Sequence, residues 1–443
     1  MVADALADSM QRARFRLTAL GEAIDRLGPT SRHATSARFL WNLCKTAHEG
    51  LVAQLDTIAV GLPKVDDVLN GLLAAAESLH IYLAFVETGA VERVPQAMIA
   101  PLEALVRPLV PEGSACLQPA RVLVYYDWVP SNYSFRQDFP TELRALLTEA
   151  LDDADAPAVE AVPQVFAALS FPVADQSNVL LHSLLGHEMG HALVELLKGP
   201  PMTVGLPQGF EPELLVQLLS LWKVELLADA WAVFLLGPAA MLSLIELAPA
   251  DQASDDHPCS HLRFSLMDQC LRRGGFVGAQ EAPLGLAWLP AAIGTALERS
   301  GNTRPVNGPY AWAHNFFYRQ LDTLVEFVFG SSGAYTRDNW VSDGEQSGRC
   351  AQGCHSLVWR ILHYTPPDSV DTVDLAGRSP HLASVLNAGW TVWQHKGIWQ
   401  RFCSRLELSP PAKEYEAFAR LNKLLLKAME IISIRAEWAE AMQ

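Results

Sequence analysis

The chain has no uncharged apolar run long enough to cross a bilayer. Its longest, Ala230 to Ile245, is broken by Gly237-Pro238 and falls short of the ~20 residues a spanning helix needs. The N-terminus, MVADALADSMQRARF, carries Asp4 and Asp8 and lacks the apolar core of a secretory signal. Positive charge is in deficit: 33 Lys and Arg face 49 Asp and Glu, a formal net charge of -16. Such a chain repels phosphates, so nucleic acid is not an expected partner. Cysteine is sparse and odd in number, at positions 44, 116, 259, 270, 350, 354 and 403. A disulfide framework is not expected, and a reducing compartment suits this pattern. There is no internal repeat and no low-complexity tract. These absences together predict a soluble, cytoplasmic protein with no membrane partner, and they leave the oligomeric state open.

What is present is ample material for a core. Half of the 443 residues are hydrophobic and 19% are charged, an ordinary globular balance. The length suits two or three domains. Over residues 1–112, LTALGEAIDRL, SARFLWNLCKTAHEGLVAQL, VDDVLNGLLAAAESLHIYLAF and AMIAPLEALVRPLV repeat apolar residues at helical spacing, which predicts a helical bundle. The texture then changes. RVLVYYDWV (Arg121 to Val129) reads as a strand, TELRALLTEAL as a helix, DDADAPAVEAVP as a surface loop, and QVFAALSFP (Gln164 to Pro172) as a weaker strand. A helix follows, with Ser177 or Asn178 as its cap and Gly199-Pro200-Pro201 as its stop. A second long helix is expected from about Glu211 to Leu236, and residues 276–443 read as a helical C-terminal domain. The expected architecture is therefore α+β and predominantly α-helical.

The first of those two central helices carries His187-Glu188-Met189-Gly190-His191. Residues four apart share one helix face, so both imidazoles can reach one ion. Chance alone produces such a pentapeptide in a chain like this on the order of a few per cent of the time. Here it lies in an apolar helix, where two histidines and a glutamate need partners. Glu188 is next to the first histidine and is positioned to take a proton from a metal-activated water. A catalytic zinc wants a third protein ligand and one open position. Val194 and Leu197 exclude the HExxHxxGxxH pattern, whereas the second helix carries Glu225-Leu-Leu-Ala-Asp229. Glu225 can complete the ligand set, and Asp229, on the same face, can fix the tautomer of a ligand histidine.

HEMGH followed by ELLAD resembles the gluzincin metallopeptidases. His257-Pro258-Cys259-Ser260-His261-Leu262-Arg263 is similar to the HPPxxxR segment of the HtpX and CAAX-prenyl protease family, with Cys259 in place of the second proline. The likeness covers roughly residues 115 to 275. It implies a zincin-like catalytic core over 113–275 and peptide-bond hydrolysis with Zn2+ as the cofactor. It also implies that His257 and Arg263 lie near the active site, His257 as a donor to an oxyanion and Arg263 as a brace for the ligand helix or for Asp229. A Pro-bounded helix start with Arg263 in an ordinary ion pair is the competing reading.

The expected function is a zinc-dependent hydrolase acting on a peptide or protein, with an extended substrate pairing along an edge strand at Gln164 to Pro172. The alternatives are a catalytically silent zinc-binding scaffold and a zinc hydrolase of a non-peptide bond. Cys350-Ala-Gln-Gly-Cys354-His355 offers a less regular metal-ligand spacing, and GWTVWQHKGIW (Gly389 to Trp399) reads as helical core or interface.

Overall fold

The computed structural model describes residues 2–28, 35–58, 65–88, 121–127, 133–151 except 137, 159–172 except 161 and 163–165, 175–277 except 176, 203, 204, 206 and 208, 287–331, 356–369, 382–407 and 412–441. Among them the protein is predominantly helical, with one small sheet. AMIAPLEALVRPLV, Cys116 and the Cys350/Cys354/His355 cluster fall outside the described residues.

The chain divides into two compact units, one over Met1–Ile99 and Val110–Val173, the other over Ala100–Leu109 and Ala174–Gln443. This differs from the three segments expected from the sequence, 1–112, 113–275 and 276–443. The reason is where the cores lie. In the first unit α1 (Val2–Leu27), α2 (Thr35–Thr57) and α3 (Val65–Thr88) pack pairwise. Their buried leucines share one cluster with Leu123 and Tyr125 of β1 (Arg121–Asp127), Phe139 and Leu147 of α4 (Phe139–Ala150) and Ala168 of β3 (Phe166–Pro172). The sheet thus belongs with the N-terminal bundle. The stretch Asp67–Thr88 is long and apolar enough, by length and composition, to cross a membrane. In the bundle its Leu69, Leu72, Leu79, Leu83 and Val86 are buried.

The sheet runs β1-β3-β2, with β2 at Ser134–Arg136. β1 and β3 are parallel, Val122 opposite Ala167 and Tyr125 opposite Ser170, and β2 joins the other side of β3 antiparallel. This corrects the expectation that 164–172 forms a free edge for substrate. β3 is the middle strand, and Ala167 to Phe171 are all buried, as suits a strand paired on both sides.

The second unit starts with a short 3-10 turn, Leu181–Leu184, that runs into α5 (Leu185–Leu197). The α-helix is therefore shorter than its apolar pattern implied, and neither Ser177 nor Asn178 caps it; Leu184 is at the N-cap and Lys198, at φ 64°, ends it. Next come α6 (Pro212–Leu236), α7 (Pro238–Leu247), α8 (Ser260–Arg273), α9 (Leu289–Ser300), α10 (Gly308–Tyr318), α11 (Leu321–Ser331), α12 (Leu382–Gln394), α13 (Lys396–Cys403) and α14 (Ala412–Ala441). The expected second helix is α6, and it is the hub: α5, α7, α8, α10, α11 and α12 all pack on it. From Leu226 to Leu236 every residue of α6 is buried, the pattern of a helix surrounded on all sides. The C-terminal helices join the same unit through buried amides. Asn387 Oδ1 accepts from the Ala239 N–H at 2.8 Å, and Asn422 Oδ1 accepts from the Val179 N–H at 2.7 Å. Each satisfies a backbone donor at a helix or turn start.

Candidate metal centre

Two glycines let α5 and α6 approach closely. A Cβ on Gly190 would sit 2.5 Å from the Ala228 carbonyl oxygen, and one on Gly186 would sit 2.6 Å from Leu236 Cδ1. The motif glycine thus has a packing role beside its two histidines. Gly186 and Gly190 on α5 face Ala228 and Ala232 on α6, a small-residue row on each helix at four-residue spacing. Reading the pentapeptide for its ligands alone misses this, although the spacing is legible in the chain.

The close crossing brings three ligand groups together. His187 Nε2 and His191 Nε2 are 3.1 Å apart. Glu225 Oε2 is 3.3 Å from His187 Nε2, and its Oε1 is 3.4 Å from His191 Nε2. Donors ~2.0–2.1 Å from a tetrahedral zinc ion stand ~3.3–3.4 Å from one another; the imidazole pair is slightly closer than that, each imidazole faces a different oxygen of Glu225, and one donor atom from each residue lies within 4.8 Å of the others. Glu225 Oε2 is also buried with no hydrogen-bond donor aligned on it, an orphaned acceptor of the kind that calls for a partner. Donor type, spacing and the orphaned oxygen all fit one divalent cation held by His187, His191 and Glu225.

Around these groups the carboxylates set the electrostatics. Asp229 is wholly buried in the middle of an apolar helix, a position tolerable only with compensating charge. Arg263 supplies it from α8, with Nε and Nη2 each donating to a different carboxylate oxygen at 2.7 Å. Burial pushes the Asp229 carboxyl up, but Arg263 and His187 outweigh it and hold it well below the usual range. Its Oδ1 lies 2.9 Å from His187 Nδ1, which orients the ring so that Nε2 faces Glu225 and His191. Burial opposes a charge on His187 too, yet contact with Asp229 and Glu225 raises its pKa to about 10. His191 is pushed down to about 4 by burial and by the charge on His187. Glu225 is driven down to about 2, since the histidines and Arg263 overcome its burial. The cluster therefore favours one positive charge at the imidazole pair.

Glu188 behaves differently. Burial lifts its carboxyl to about 7, offset in part by the charge of His187 and reinforced by Glu225. It is the one carboxyl of the group poised to gain or lose a proton near neutrality.

His257 is at the rim. Its side chain is 57% exposed, and Nε2 lies 3.7 Å from Glu225 Oε2. Its loop is closed by an internal hydrogen bond and held by two helices. Ser254 Oγ accepts from the His257 N–H at 3.0 Å, the Trp222 indole N–H of α6 donates to the Ser254 carbonyl at 2.9 Å, and Tyr310 of α10 donates to Asp255 at 2.7 Å. Trp222 and Tyr310 also stack, 6.2 Å between centroids. No sequence pattern links Trp222, Ser254, Asp255 and Tyr310 to the site, and none of these four was expected there. All seven residues singled out in the sequence, His187, Glu188, His191, Glu225, Asp229, His257 and Arg263, lie in one connected cluster.

No protein-family model, curated protein or solved structure matches this chain.

Proposed function

We propose that the protein is a zinc-dependent hydrolase with a zincin-like centre, acting as a metallopeptidase. The observation that carries this reading is the convergence of two imidazole nitrogens and one carboxylate, with one donor atom from each within 4.8 Å of the others, beside a buried carboxyl with a pKa of about 7. Two imidazoles and one carboxylate suit zinc among the common divalent ions and leave a coordination position for chemistry. When bound, such an ion supplies Lewis acidity toward water and toward a carbonyl oxygen.

The chain's own residues do the rest. Glu188 accepts a proton from water and returns it to a leaving amine, a role suited to a pKa near the working pH. Asp229 holds the His187 ring in one tautomer, and Arg263 keeps Asp229 ionised and fixed. His257, exposed beside Glu225, donates to an oxygen that gains negative charge during the reaction. A peptide or protein in the cytoplasm is the proposed substrate.

Zinc uptake followed by calorimetry, together with hydrolysis of a mixed peptide pool read by mass spectrometry, tests the proposal. Glu188→Gln should keep zinc and lose on the order of 10²–10⁴-fold in rate. An unchanged rate would remove Glu188 from the mechanism. A zinc-loaded wild type that cleaves nothing would favour a silent zinc-binding scaffold.

A further inference from the structure

Next to the proposed metal centre lies a cavity of about 330 Å³. Its walls come from the end of α7, the loop after it and the start of α8, and they include Leu244, Ala248, Asp251, Ser254, His257 and Arg263. His257 belongs both to this wall and to the rim of the centre, since its Nε2 is 3.7 Å from Glu225. The volume is at the small end of the ~300–1,000 Å³ typical of ligand pockets. It suits one side chain rather than a length of peptide.

The charge of the cavity follows from its partners. Arg263 is the only cationic side chain on its wall apart from the imidazole of His257, and both Nε and Nη2 of Arg263 are already given to Asp229. Asp251 is different. Its carboxylate has no ion-pair or hydrogen-bond partner among the described residues, while its backbone is clamped on both sides by Ser260. The Asp251 N–H donates to Ser260 Oγ at 2.7 Å, and the Ser260 N–H donates to the Asp251 carbonyl at 3.0 Å. Ser260 Oγ in turn donates to the Ala248 carbonyl at 2.9 Å. The backbone that carries the carboxylate is therefore fixed, and the buried Leu244 and Ala248 line the same cavity. An unpaired anion on a cavity wall that also carries apolar side chains suits a cation on an apolar stem.

We propose that this cavity is a specificity pocket for a basic side chain, arginine or lysine, flanking the bond that is cut, with Asp251 as its recognition residue. This names a substrate class for the hydrolase proposed above and rests on that reading.

Benzamidine, an amidinium on an apolar ring, tests the pocket directly by calorimetry or NMR titration of the full chain, with benzoate as its anionic counterpart. Benzamidine should bind and benzoate should not, and Asp251→Asn should weaken benzamidine on the order of 10-fold. The exposed position of Asp251 makes this substitution compatible with folding, and unchanged zinc uptake by the variant checks it. Equal binding of the two probes, or an Asp251→Asn protein that binds benzamidine as wild type does, overturns the pocket. A parallel zinc titration keeps the two readings apart. Zinc uptake without benzamidine selectivity removes the pocket alone, whereas selectivity without zinc uptake supports the pocket and removes the hydrolase.

Discussion

The second unit buries two pairs of histidines, and their surroundings are electrostatic opposites. His187 and His191 meet Glu225 and Asp229, and the positive charge drawn to them resides on His187. His261 and His314, with ring centroids 6.0 Å apart, stack near Tyr318 and meet Arg304. Burial and the charge of Arg304 lower the pKa of both, His261 to about 4. Both pairs are largely removed from water, so burial does not decide what a histidine does here. The partners decide. Carboxylates make the first pair a place for a cation, and an arginine makes the second pair neutral packing.

The largest effect expected on this contrast comes from the ligands. His187→Ala or His191→Ala removes one of three donors, and zinc affinity should fall by more than the ~10–100-fold typical of an outer partner, as read by competition with a chelator. His261→Ala should leave zinc affinity unchanged, and a comparable loss there would erase the distinction between the pairs. Next, Arg263→Leu leaves Asp229 as an uncompensated buried charge. Denaturant unfolding of the metal-free protein should show a loss of about 3–5 kcal/mol. Asp229→Asn removes the anion behind His187 and should cost zinc affinity ~10–100-fold, or ~1.4–2.7 kcal/mol. Gly190→Ala tests the helix crossing that unites the ligands. Its Cβ would press on the backbone of Ala228, and overpacking of this kind costs ~1–3 kcal/mol, with weaker zinc binding because Glu225 is carried on the displaced helix.

The smallest effect concerns pH. Unfolded, His261 takes up a proton near its ordinary value of 6.5, and folded it does so only near 4. Between those values the unfolded chain binds more protons, so stability falls as pH drops through that window. His261→Gln should flatten the slope of stability against pH between 6.5 and 4. An unaltered slope would mean that His261 is charged in the folded protein.

The metal centre was legible because helical geometry is local. Four-residue spacing fixes the shared face of His187 and His191, and again of Glu225 and Asp229, whatever the rest of the chain does. Whether residue 225 would reach residue 187 depended on Gly190 against Ala228, a tertiary fact with only a faint trace in sequence. Sheet order was not legible. The run Phe166–Pro172 reads as a strand from its composition, but its central position depends on Ser134–Arg136, a three-residue partner too short to announce itself. The grouping of that sheet with α1–α3 depends on a shared core that no local pattern records. The loop of His257 shows the same limit, since it is fixed by Trp222 and Tyr310 from two separate helices.

The decisive property of this protein is where it binds a cation. Crystals of the zinc-treated protein, with anomalous diffraction recorded on both sides of the zinc edge, measure this directly. A single strong peak bonded to His187 Nε2, His191 Nε2 and the Glu225 carboxylate is the expected result. Zinc found elsewhere, with these three side chains bonded only to one another, would contradict it.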